Sequence, residues 1–375
     1  MYSRIYIKVF LLLILFSLVF INILYNTNNE TYPNSYVIIP QLRANISHDI
    51  KIVTIVNNPN TEKYKVAIST IKCYAAYFRY DYILINTNEN DDLYEECNQE
   101  DYMYRRHCFL ARYMEDNFKD GDMILVLDAD IGIINPSYVL EQFMPRNNEE
   151  IIFYERIFNH EIMAGSFFLR NSDYTRKFLL NWANYDSKHP KSFDGRDNVG
   201  LHYFLLDYIP DEFKRKKKTC YKLWERSKNW KDCSVFVACL KYIINHASSY
   251  EKLLVGDDYY TLDNGRIKIL KKGSQKVWVR DVWLTDSLWS RNDFMLHGLK
   301  QDTIGYFGFG SWHLPIKFEE FDLNSCYSVN YINNWVYYKK YFTTNRRVRS
   351  LLNETITQTR KLYQEELKKS GILSY

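Results

Sequence analysis

The stretch from Gly121 to Pro136, GDMILVLDADIGIINP, constrains the fold of this chain more than any other. Met123 to Leu127 is an unbroken apolar run, and the Gly121-Asp122 pair before it is typical of a turn. An apolar run of this length without alternation is typical of a strand that is covered on both faces, as in a parallel sheet. The stretch therefore predicts an α/β protein with a buried strand over residues 123–127.

Two carboxylates follow this strand directly. Asp128 and Asp130 flank Ala129 at the carboxyl end of the strand, where open α/β sheets bind their ligands. Carboxylate oxygens suit Mg²⁺ or Mn²⁺, and an ion held there would neutralise the charge of a diphosphate. We therefore expect this motif to bind a metal ion and a diphosphate; the alternative for so short a motif is a solvated surface loop.

Strands and helices alternate on both sides of this motif, which predicts right-handed crossovers and a mainly parallel sheet flanked by helices. Asn135-Pro136 predicts the start of a further helix, with Asn135 as its N-cap. Asn264-Gly265 predicts the turn of a hairpin over residues 260–270. The other predicted elements are strands at 51–58, 82–85, 151–154, 162–169 and 293–298, and helices at 64–78, 110–118, 174–185 and 201–208.

The N-terminus contains a segment that is just long enough to cross a bilayer. Residues 5–24 are apolar except for Lys8, Ser17 and Asn22, and Arg4 precedes them. The pattern predicts a single-pass type II membrane protein of the Golgi or endoplasmic reticulum, with the chain beyond the anchor in the lumen. Residues 1–25 would be the cytosolic tip and signal anchor, and residues 26–50 a stem. A cleaved signal peptide is the alternative.

Composition gives further expectations about partners and compartment. The formal net charge of +4 is too small to indicate a nucleic-acid partner. Three sequons, at Asn29, Asn45 and Asn353, predict a glycoprotein if the chain enters the secretory pathway.

The seven cysteines show no metal-binding spacing. Cys73 and Cys108 lie in helical patterns and are interpreted as core thiols. Cys220 and Cys233 flank a Trp-rich segment and are candidates for a disulfide in an oxidising compartment.

Two further stretches leave their roles open. Gly165, in Met163-Ala164-Gly165-Ser166, either lets the backbone approach a ligand closely or marks a bulge. Asp197 and Asn198 precede an apolar helix, where they either cap the helix or face the site.

Three stretches carry a resemblance to a known family: Leu125 to Pro136, Met163 to Tyr185, and Asp197-Asn198 before its apolar helix. They resemble the metal-dependent GT-A glycosyltransferases, whose fold is Rossmann-like. The nearest characterised group is the retaining galactosyl-, xylosyl- and mannosyltransferase family of yeasts and plants. The closer resemblance is to a nematode-expanded family of predicted nucleotide-diphospho-sugar transferases of unknown function.

The resemblance covers roughly residues 51–300 and implies a GT-A glycosyltransferase domain, which we place at residues 51–342. Within it, residues 210–275 resemble no known segment and are interpreted as an insertion. The pattern of residues 343–375 predicts a basic linker and an amphipathic helix. It implies a hexosyl- or pentosyltransferase that moves a sugar from a nucleotide-sugar, a UDP-sugar in preference to a GDP-sugar, to a glycan or glycoprotein acceptor. The anomeric configuration of the donor would be retained.

The resemblance also implies roles for individual residues. A late strand ending in His-Gly implies His297 as the third ligand of Mn²⁺ or Mg²⁺ beside Asp128 and Asp130, with His313 as the alternative. The other implied site residues are Asp197 and Asn198 in catalysis, and Arg112, Ala129, Gly165 and Ser166 in donor binding. Asn198 stands where the family has Gln. If the enzyme inverts instead, the candidate bases are Asp194, Glu155 and Glu161.

Two rival hypotheses come from other functional classes. A GT-A domain without turnover would act as a carbohydrate-binding or scaffold protein, against which the intact Asp128, Asp130 and His297 argue. Haloacid-dehalogenase-like phosphatases also place Asp-x-Asp after an apolar strand, but they require Thr or Val where this chain has Gly132.

Overall fold

The computed structural model describes residues 49–88, 94–250, 258–306 and 308–374. Two β-sheets flanked by helices make up this part of the chain. The strands are β1 (Ile50–Val56), β2 (Asp81–Asn86), β3 (Met123–Leu127), β4 (Ile131–Ile133), β5 (Ile151–Tyr154), β6 (Ser166–Arg170), β7 (Tyr259–Leu262), β8 (Ile267–Leu270), β9 (Val279–Asp281) and β10 (Met295–His297). The helices are α1 (Lys65–Phe78), α2 (Tyr102–Asn117), α3 (Asp173–Ala183), α4 (Arg196–Leu205), α5 (Asp211–Lys214), α6 (Lys217–Trp224), α7 (Trp230–Tyr250) and α8 (Asn345–Ser370).

Strand β3 lies between β1 and β6 in the larger sheet and is buried along all five residues. Its side chains alternate between two hydrophobic cores: Met123 and Leu125 belong to one, and Ile124 and Val126 to the other. The predicted strand with two covered faces is therefore confirmed.

The larger sheet has the strand order β2-β1-β3-β6-β5-β8-β7. Strands β2, β1 and β3 run parallel, as predicted, because helices α1 and α2 connect them. Of the remaining pairings, β5 with β8 is parallel, and β3–β6, β5–β6 and β7–β8 are antiparallel. The sheet is thus parallel across β2, β1 and β3 and mixed beyond them, where β5 and β6, and β7 and β8, are joined without a helix that could carry the chain back.

After β3 the chain leaves the larger sheet and enters a three-stranded one, of order β4-β10-β9. The predicted helix at Asn135-Pro136 is wrong. The backbone N–H groups of Ile134 and Asn135 both donate to the carbonyl of Phe294, which holds this segment against the start of β10. The Asn135 side chain accepts from the Ser137 N–H at 3.1 Å and closes a local turn instead of capping a helix.

The described part of residues 210–275, the predicted insertion, contributes two strands to the larger sheet. Strand β8 pairs with β5, and the predicted hairpin partner β7 pairs with β8, so this segment completes one edge of the larger sheet. Trp224 and Phe236 are fully buried in the core that also contains Ile124.

Three disulfides differ from the sequence interpretation. They are Cys73–Cys326, Cys97–Cys108 and Cys220–Cys239. Cys73 and Cys108 are therefore not free core thiols, and Cys220 pairs with Cys239 rather than with Cys233. Cys233 is a buried free thiol.

The C-terminal helix predicted after residue 343 is confirmed as α8, which packs against α7. Asn353 of the third sequon is exposed on this helix. The predicted anchor, most of the stem, and the sequons at Asn29 and Asn45 lie outside the described residues. Among the helices of the described ranges, none has the length and apolar character that a bilayer crossing requires.

Candidate metal centre

The chain turns sharply between β3 and β4, and this turn carries both carboxylates of the Asp-Ala-Asp motif. The Asp128 N–H donates to the Gly165 carbonyl at 2.7 Å, and the Ile131 N–H donates to the Asp128 carbonyl at 3.0 Å. The Asp130 carbonyl accepts from the Gly298 N–H at 3.1 Å. The turn is therefore held between the start of β6 and the end of β10.

Strand pairing brings a histidine to this turn. Because β10 pairs with β4 in antiparallel register, His297 lies opposite Ile131, next to the acidic turn. Gly298 follows with φ +96°, and a Cβ atom there would lie 2.5 Å from the Trp283 ring, so only glycine fits this exit from the strand.

Asp128, Asp130 and His297 offer ligand atoms that all lie within 4.8 Å of one another. Oδ1 of Asp130 lies 3.4 Å from Nε2 of His297, and both residues are buried, whereas Asp128 is partly exposed. Two carboxylate oxygens and one imidazole nitrogen suit a divalent ion such as Mn²⁺. These residues could therefore hold the predicted metal ion.

His313, the alternative ligand, lies elsewhere. Its ring is exposed and stacks against Tyr341, with 6.0 Å between the ring centroids. Of the two histidines, His297 is the one in the acidic group.

A second carboxylate orients the His297 ring. Nδ1 of His297 lies 2.6 Å from Oδ1 of Asp281 at the end of the neighbouring strand β9. With the Nδ1 proton donated to Asp281, Nε2 is directed toward Asp130 and the metal position. Carboxylate partners of this kind fix the tautomer of metal-binding histidines and raise their basicity.

The three groups differ in how their surroundings shift their pKa values. Burial raises the pKa of the Asp128 carboxyl, against the opposing charge of Arg106. Burial also disfavours the charged forms of Asp130 and His297. At Asp130 the charges of His297 and Lys300 outweigh burial and lower the pKa, and at His297 the charges of Asp130 and Asp281 outweigh it and raise the pKa. A metal ion would have to displace the His297 proton, so binding should weaken in acid.

Cations surround the acidic turn. Nη1 of Arg106 lies 2.6 Å from Oδ1 of Asp128, and Nζ of Lys300 lies 3.3 Å from Oδ2 of Asp130. The sequence interpretation placed Arg112 here, which is wrong: Arg112 pairs with Glu96 and Glu115, each at 2.9 Å. The N-terminal end of helix α2 lies at the edge of the sheet. Arg112 is six residues after Arg106, which places it about 9 Å further along the helix axis, away from that edge.

Asp197 lies behind Arg106 and not in the open part of the site. It is fully buried, with Oδ2 at 2.5 Å from Nη2 of Arg106 and 3.1 Å from Nε2 of His107. Burial lowers the pKa of His107 to about 4, so the neutral ring donates to Asp197. The Asp197 side chain therefore makes no capping hydrogen bond to α4 and does not line the cavity described below; it orients the arginine that contacts Asp128.

The other predicted site residues divide between the surface of the site and its support. Asn198 lines the cavity described below, and its Oδ1 accepts from the Ala164 N–H at 3.0 Å. Ser166 is fully buried and accepts from the indole N–H of Trp278, so it supports the site from behind. Gly165 is required because a Cβ atom there would lie 1.9 Å from Oδ2 of Asp128. The absence of a side chain at Gly165 therefore leaves room for the Asp128 carboxylate.

A cavity of about 800 Å³ opens over the metal position. This is within the range of pockets that bind small molecules. One end is formed by the carboxyl end of β1 with Lys63, Tyr64 and Tyr102. The other end is formed by Arg156 and residues 158–161 together with Trp230, Trp283, Phe309, Leu362 and Glu366. Ala129 lines the floor between them, beside the two Asp residues.

Three residues of this site were not identified from the sequence: Arg106, Asp281 and Lys300. Lys300 lies only two residues after the predicted strand at 293–298, which contains His297. This closeness in the sequence could have identified it as a residue of the site. Arg106 and Asp281 depend on how α2 and β9 pack, and no local pattern marks them.

Comparisons with known proteins give one family. The family model described as "Protein of unknown function, DUF273" matches residues 71–308. No curated protein matches the chain. A solved structure described as a glycosyltransferase involved in the glycosylation of the major capsid of PBCV-1 is similar at 10% identity and a TM-score of 0.35, over 66% of this chain and 92% of that chain. That similarity is too low to assign a fold or an activity here.

Proposed function

The chain belongs to the family described as DUF273, and we propose that it is a metal-dependent glycosyltransferase that uses a nucleotide-sugar donor. The observation that carries the proposal is the Asp128–Asp130–His297 group at the sheet edge, inside a cavity that also presents cations. The resemblance of the Asp-Ala-Asp and Gly165 stretches to GT-A enzymes supports the choice of sugar transfer among the reactions of metal-bound diphosphates.

The bound ion would supply positive charge to the diphosphate as the bond from sugar to phosphate breaks. Asp128, Asp130 and His297 would hold it, and Asp281 would keep the imidazole in the required orientation. Lys300 and Arg106 line the same cavity, and each would contact a phosphate oxygen once its Asp partner turns to the ion. Cations placed where negative charge develops stabilise the transition state.

The two ends of the cavity suit the two substrates. The nucleoside would lie at the end near Tyr64 and Tyr102, because the carboxyl ends of β1 and β3 meet there. The acceptor, a glycan or a glycoprotein, would enter from the opposite end, past Trp230 and Phe309. These two aromatic side chains are 55% and 59% exposed, which suits contact with a ligand.

Individual residues argue against the two rival functions, the phosphatase and the scaffold without turnover. A phosphatase of the haloacid-dehalogenase type would need Thr or Val at position 132. A Cβ atom at Gly132 would lie 2.9 Å from the Thr70 hydroxyl and 3.0 Å from the Ala67 backbone, so a larger residue does not fit. A scaffold without turnover would not need to keep the complete set of three ligands.

We further propose that the protein works in the secretory pathway, held by its N-terminal segment as a type II membrane protein. Three disulfides support an oxidising compartment, because such bonds are rare in reducing ones. The full-length protein should resist alkaline extraction from membranes and carry N-glycans that glycosidase treatment removes. Secretion of a processed form that begins near residue 26 would contradict the anchor and support a cleaved signal peptide.

The experiment that tests the activity is a donor screen. UDP-sugars and GDP-sugars are incubated with the purified lumenal part and Mn²⁺, and the release of nucleoside diphosphate is measured. We expect release with a UDP-sugar, abolished by a chelator and reduced ~10³-fold or more in Asp128→Asn and Asp130→Asn. No release from any donor, or near-normal rates in both variants, would contradict the proposed function.

A further inference from the structure

The cavity over the metal position contains two carboxylates besides the metal group, Glu161 and Glu366. Glu366 is committed to structural contacts: it lies 2.7 Å from Nε2 of His160 and accepts from the Ser234 hydroxyl at 2.8 Å. Glu161 has a hydrogen bond from the Asn159 side chain and a longer ion pair with Arg156, in which its Oε2 lies 3.6 Å from Nη1, beyond hydrogen-bond distance. Glu161 is therefore the better placed of the two to accept a proton from a ligand.

The other carboxylates that the sequence offered as bases lie elsewhere. Glu155 pairs with Lys241 at 2.6 Å, is buried, and does not line this cavity. Asp194 lies 3.1 Å from Nδ1 of His189 and is likewise absent from the cavity wall. Of these three candidates, only Glu161 faces the space above the metal position.

Glu161 is linked to the metal centre by one side chain. The Arg156 guanidinium contacts Glu161 through Nη1, and its Nη2 donates to Oδ1 of Asp281 at 2.9 Å. The same Asp281 oxygen accepts from His297, a metal ligand. A single guanidinium thus separates Glu161 from the residue that orients the metal-binding histidine, and Glu161 lines the same cavity as the three candidate ligands.

An aromatic wall stands next to Glu161. The Arg156 guanidinium lies over the Phe158 ring at 4.5 Å, and the Phe158 and Phe309 ring centroids are 5.2 Å apart. Phe309 in turn stacks against Trp283 at 5.7 Å. Rings with exposed faces suit the apolar face of a sugar, whose hydroxyls then point to neighbouring polar groups. An acceptor resting on Phe309 would present a hydroxyl near Glu161.

We propose that Glu161 is the catalytic base for the acceptor and that transfer is a single displacement with inversion at the anomeric carbon. The acceptor O–H proton passes to a Glu161 oxygen while the acceptor oxygen forms a bond to the anomeric carbon. The bond from that carbon to the diphosphate breaks, and its electron pair leaves with the diphosphate. This inference rests on the proposed function, and it replaces the retention that the sequence resemblance implied through Asp197, which is buried behind Arg106.

The electrostatic surroundings are consistent with a base. Burial raises the pKa of the Glu161 carboxyl, although the charge of Arg156 opposes it. A raised pKa brings a carboxylate closer to the strength that proton abstraction near neutral pH requires. Glu161 is in contact with Arg156 and Asn159, and it interacts electrostatically with Asp197, Cys233, Lys272 and Asp281 on neighbouring segments.

The first test needs no variant. In this test, the wild-type protein is incubated with the UDP-sugar identified in the donor screen, with water as the acceptor. Proton NMR then determines the anomer of the first sugar released, before mutarotation. We expect inversion, because Glu161 would activate the water on the face opposite the diphosphate. A retained anomer would overturn the inference while leaving the proposed function intact.

The second test compares Glu161→Gln and Glu161→Asp, with Glu115→Gln as the control for loss of one carboxylate. Glu161→Gln should lower kcat ~10²–10⁴-fold with the donor KM and the Mn²⁺ affinity nearly unchanged. The acidic limb of the pH–rate profile, where the wild-type rate falls as the base is protonated, should disappear. Glu161→Asp should keep that limb and part of the rate, and Glu115→Gln should match the wild type.

The outcomes separate the two levels of the proposal. Wild-type kcat and pH profile in Glu161→Gln would overturn the base assignment even though nucleoside diphosphate is still released. A fall in kcat accompanied by an equal loss of Mn²⁺ affinity would also overturn it, because that pattern means a structural role through Arg156 and Asp281. If the wild type releases no nucleoside diphosphate, the proposed function fails, and this inference fails with it.

Discussion

Oδ1 of Asp281 lies 2.6 Å from Nδ1 of His297 and 2.9 Å from Nη2 of Arg156, so one carboxylate oxygen joins a metal-ligand candidate to a partly buried arginine. Burial disfavours the charge on Asp281, but the charges of Arg156 and His297 outweigh it and lower the pKa. The carboxylate is therefore ionised at neutral pH, and it holds the His297 ring in place.

The first prediction concerns this carboxylate. Asp281→Asn should weaken Mn²⁺ binding 10–100-fold, because the imidazole loses the partner that orients it and raises its basicity. Isothermal titration calorimetry measures the affinity, and Asp211→Asn, at a surface position, controls for the loss of one charge. Unchanged Mn²⁺ affinity in Asp281→Asn would show that His297 is not a ligand or needs no orientation.

The second prediction separates the two histidines. His297→Ala should raise the Mn²⁺ concentration needed for half-maximal activity by at least an order of magnitude, because it removes one of three protein ligands. His313→Ala should leave this concentration unchanged, since His313 is exposed and lies against Tyr341. Parallel metal titrations decide the matter, and the reverse order would exclude the Asp128–Asp130–His297 site.

Much of this site could be predicted from the sequence because it is local. The apolar run of β3 and the two Asp residues after it are adjacent in the chain, and the carboxyl ends of strands meet at one edge of a sheet. His297 could be identified from the late strand that ends in His-Gly, by resemblance to a family. To predict these features, only the order of the strands and helices is needed. The alternating pattern of the sequence predicted that order correctly up to β3.

The failures involve contacts between distant parts of the chain. Arg106 and Arg112 lie on the same helix, and only the direction in which α2 meets the sheet shows which of them reaches Asp128. Cys73 and Cys326 are 253 residues apart, and no spacing rule relates them. Asp197 stands where a helix cap or a site residue would stand, and only the packing of α2 shows that its carboxylate contacts Arg106 and His107.

The third prediction tests the buried role of Asp197 through stability. Burial disfavours the ionised form, but the charge of Arg106 and the contacts with His107 outweigh it, so the pKa of Asp197 is lowered in the folded protein. A lowered pKa means that Asp197 stabilises the fold above its unfolded-state pKa and that this contribution is lost as the pH falls through the folded value. Asp197→Asn should therefore cost ~3–5 kcal/mol at pH 7, as expected when one partner of a buried ion pair is removed.

Urea unfolding of the wild type and Asp197→Asn at a series of pH values from 7 to about 3 measures this difference. The gap between the two proteins should be largest at neutral pH and should narrow in acid, as wild-type Asp197 becomes protonated. A cap residue would cost only ~1 kcal/mol when replaced. A gap that small, or one that does not change with pH, would contradict the buried ion pair.

The last prediction concerns the glycine that lies against Asp128. In Gly165→Ala, the new Cβ atom would lie 1.9 Å from Oδ2 and 2.5 Å from Cγ of Asp128, distances that a carboxylate cannot tolerate. The Asp128 side chain must move, and the metal position loses its geometry although all three ligand residues are still present. We expect Mn²⁺ affinity to fall at least 10-fold, with a loss of stability of ~1–3 kcal/mol from the added volume.

Calorimetry with Mn²⁺ and thermal unfolding measure the two effects, and Gly308→Ala, whose Cβ atom would meet nothing within 4 Å, is the control for metal affinity. Wild-type Mn²⁺ affinity in Gly165→Ala would mean that Asp128 does not bind the ion in the orientation described here.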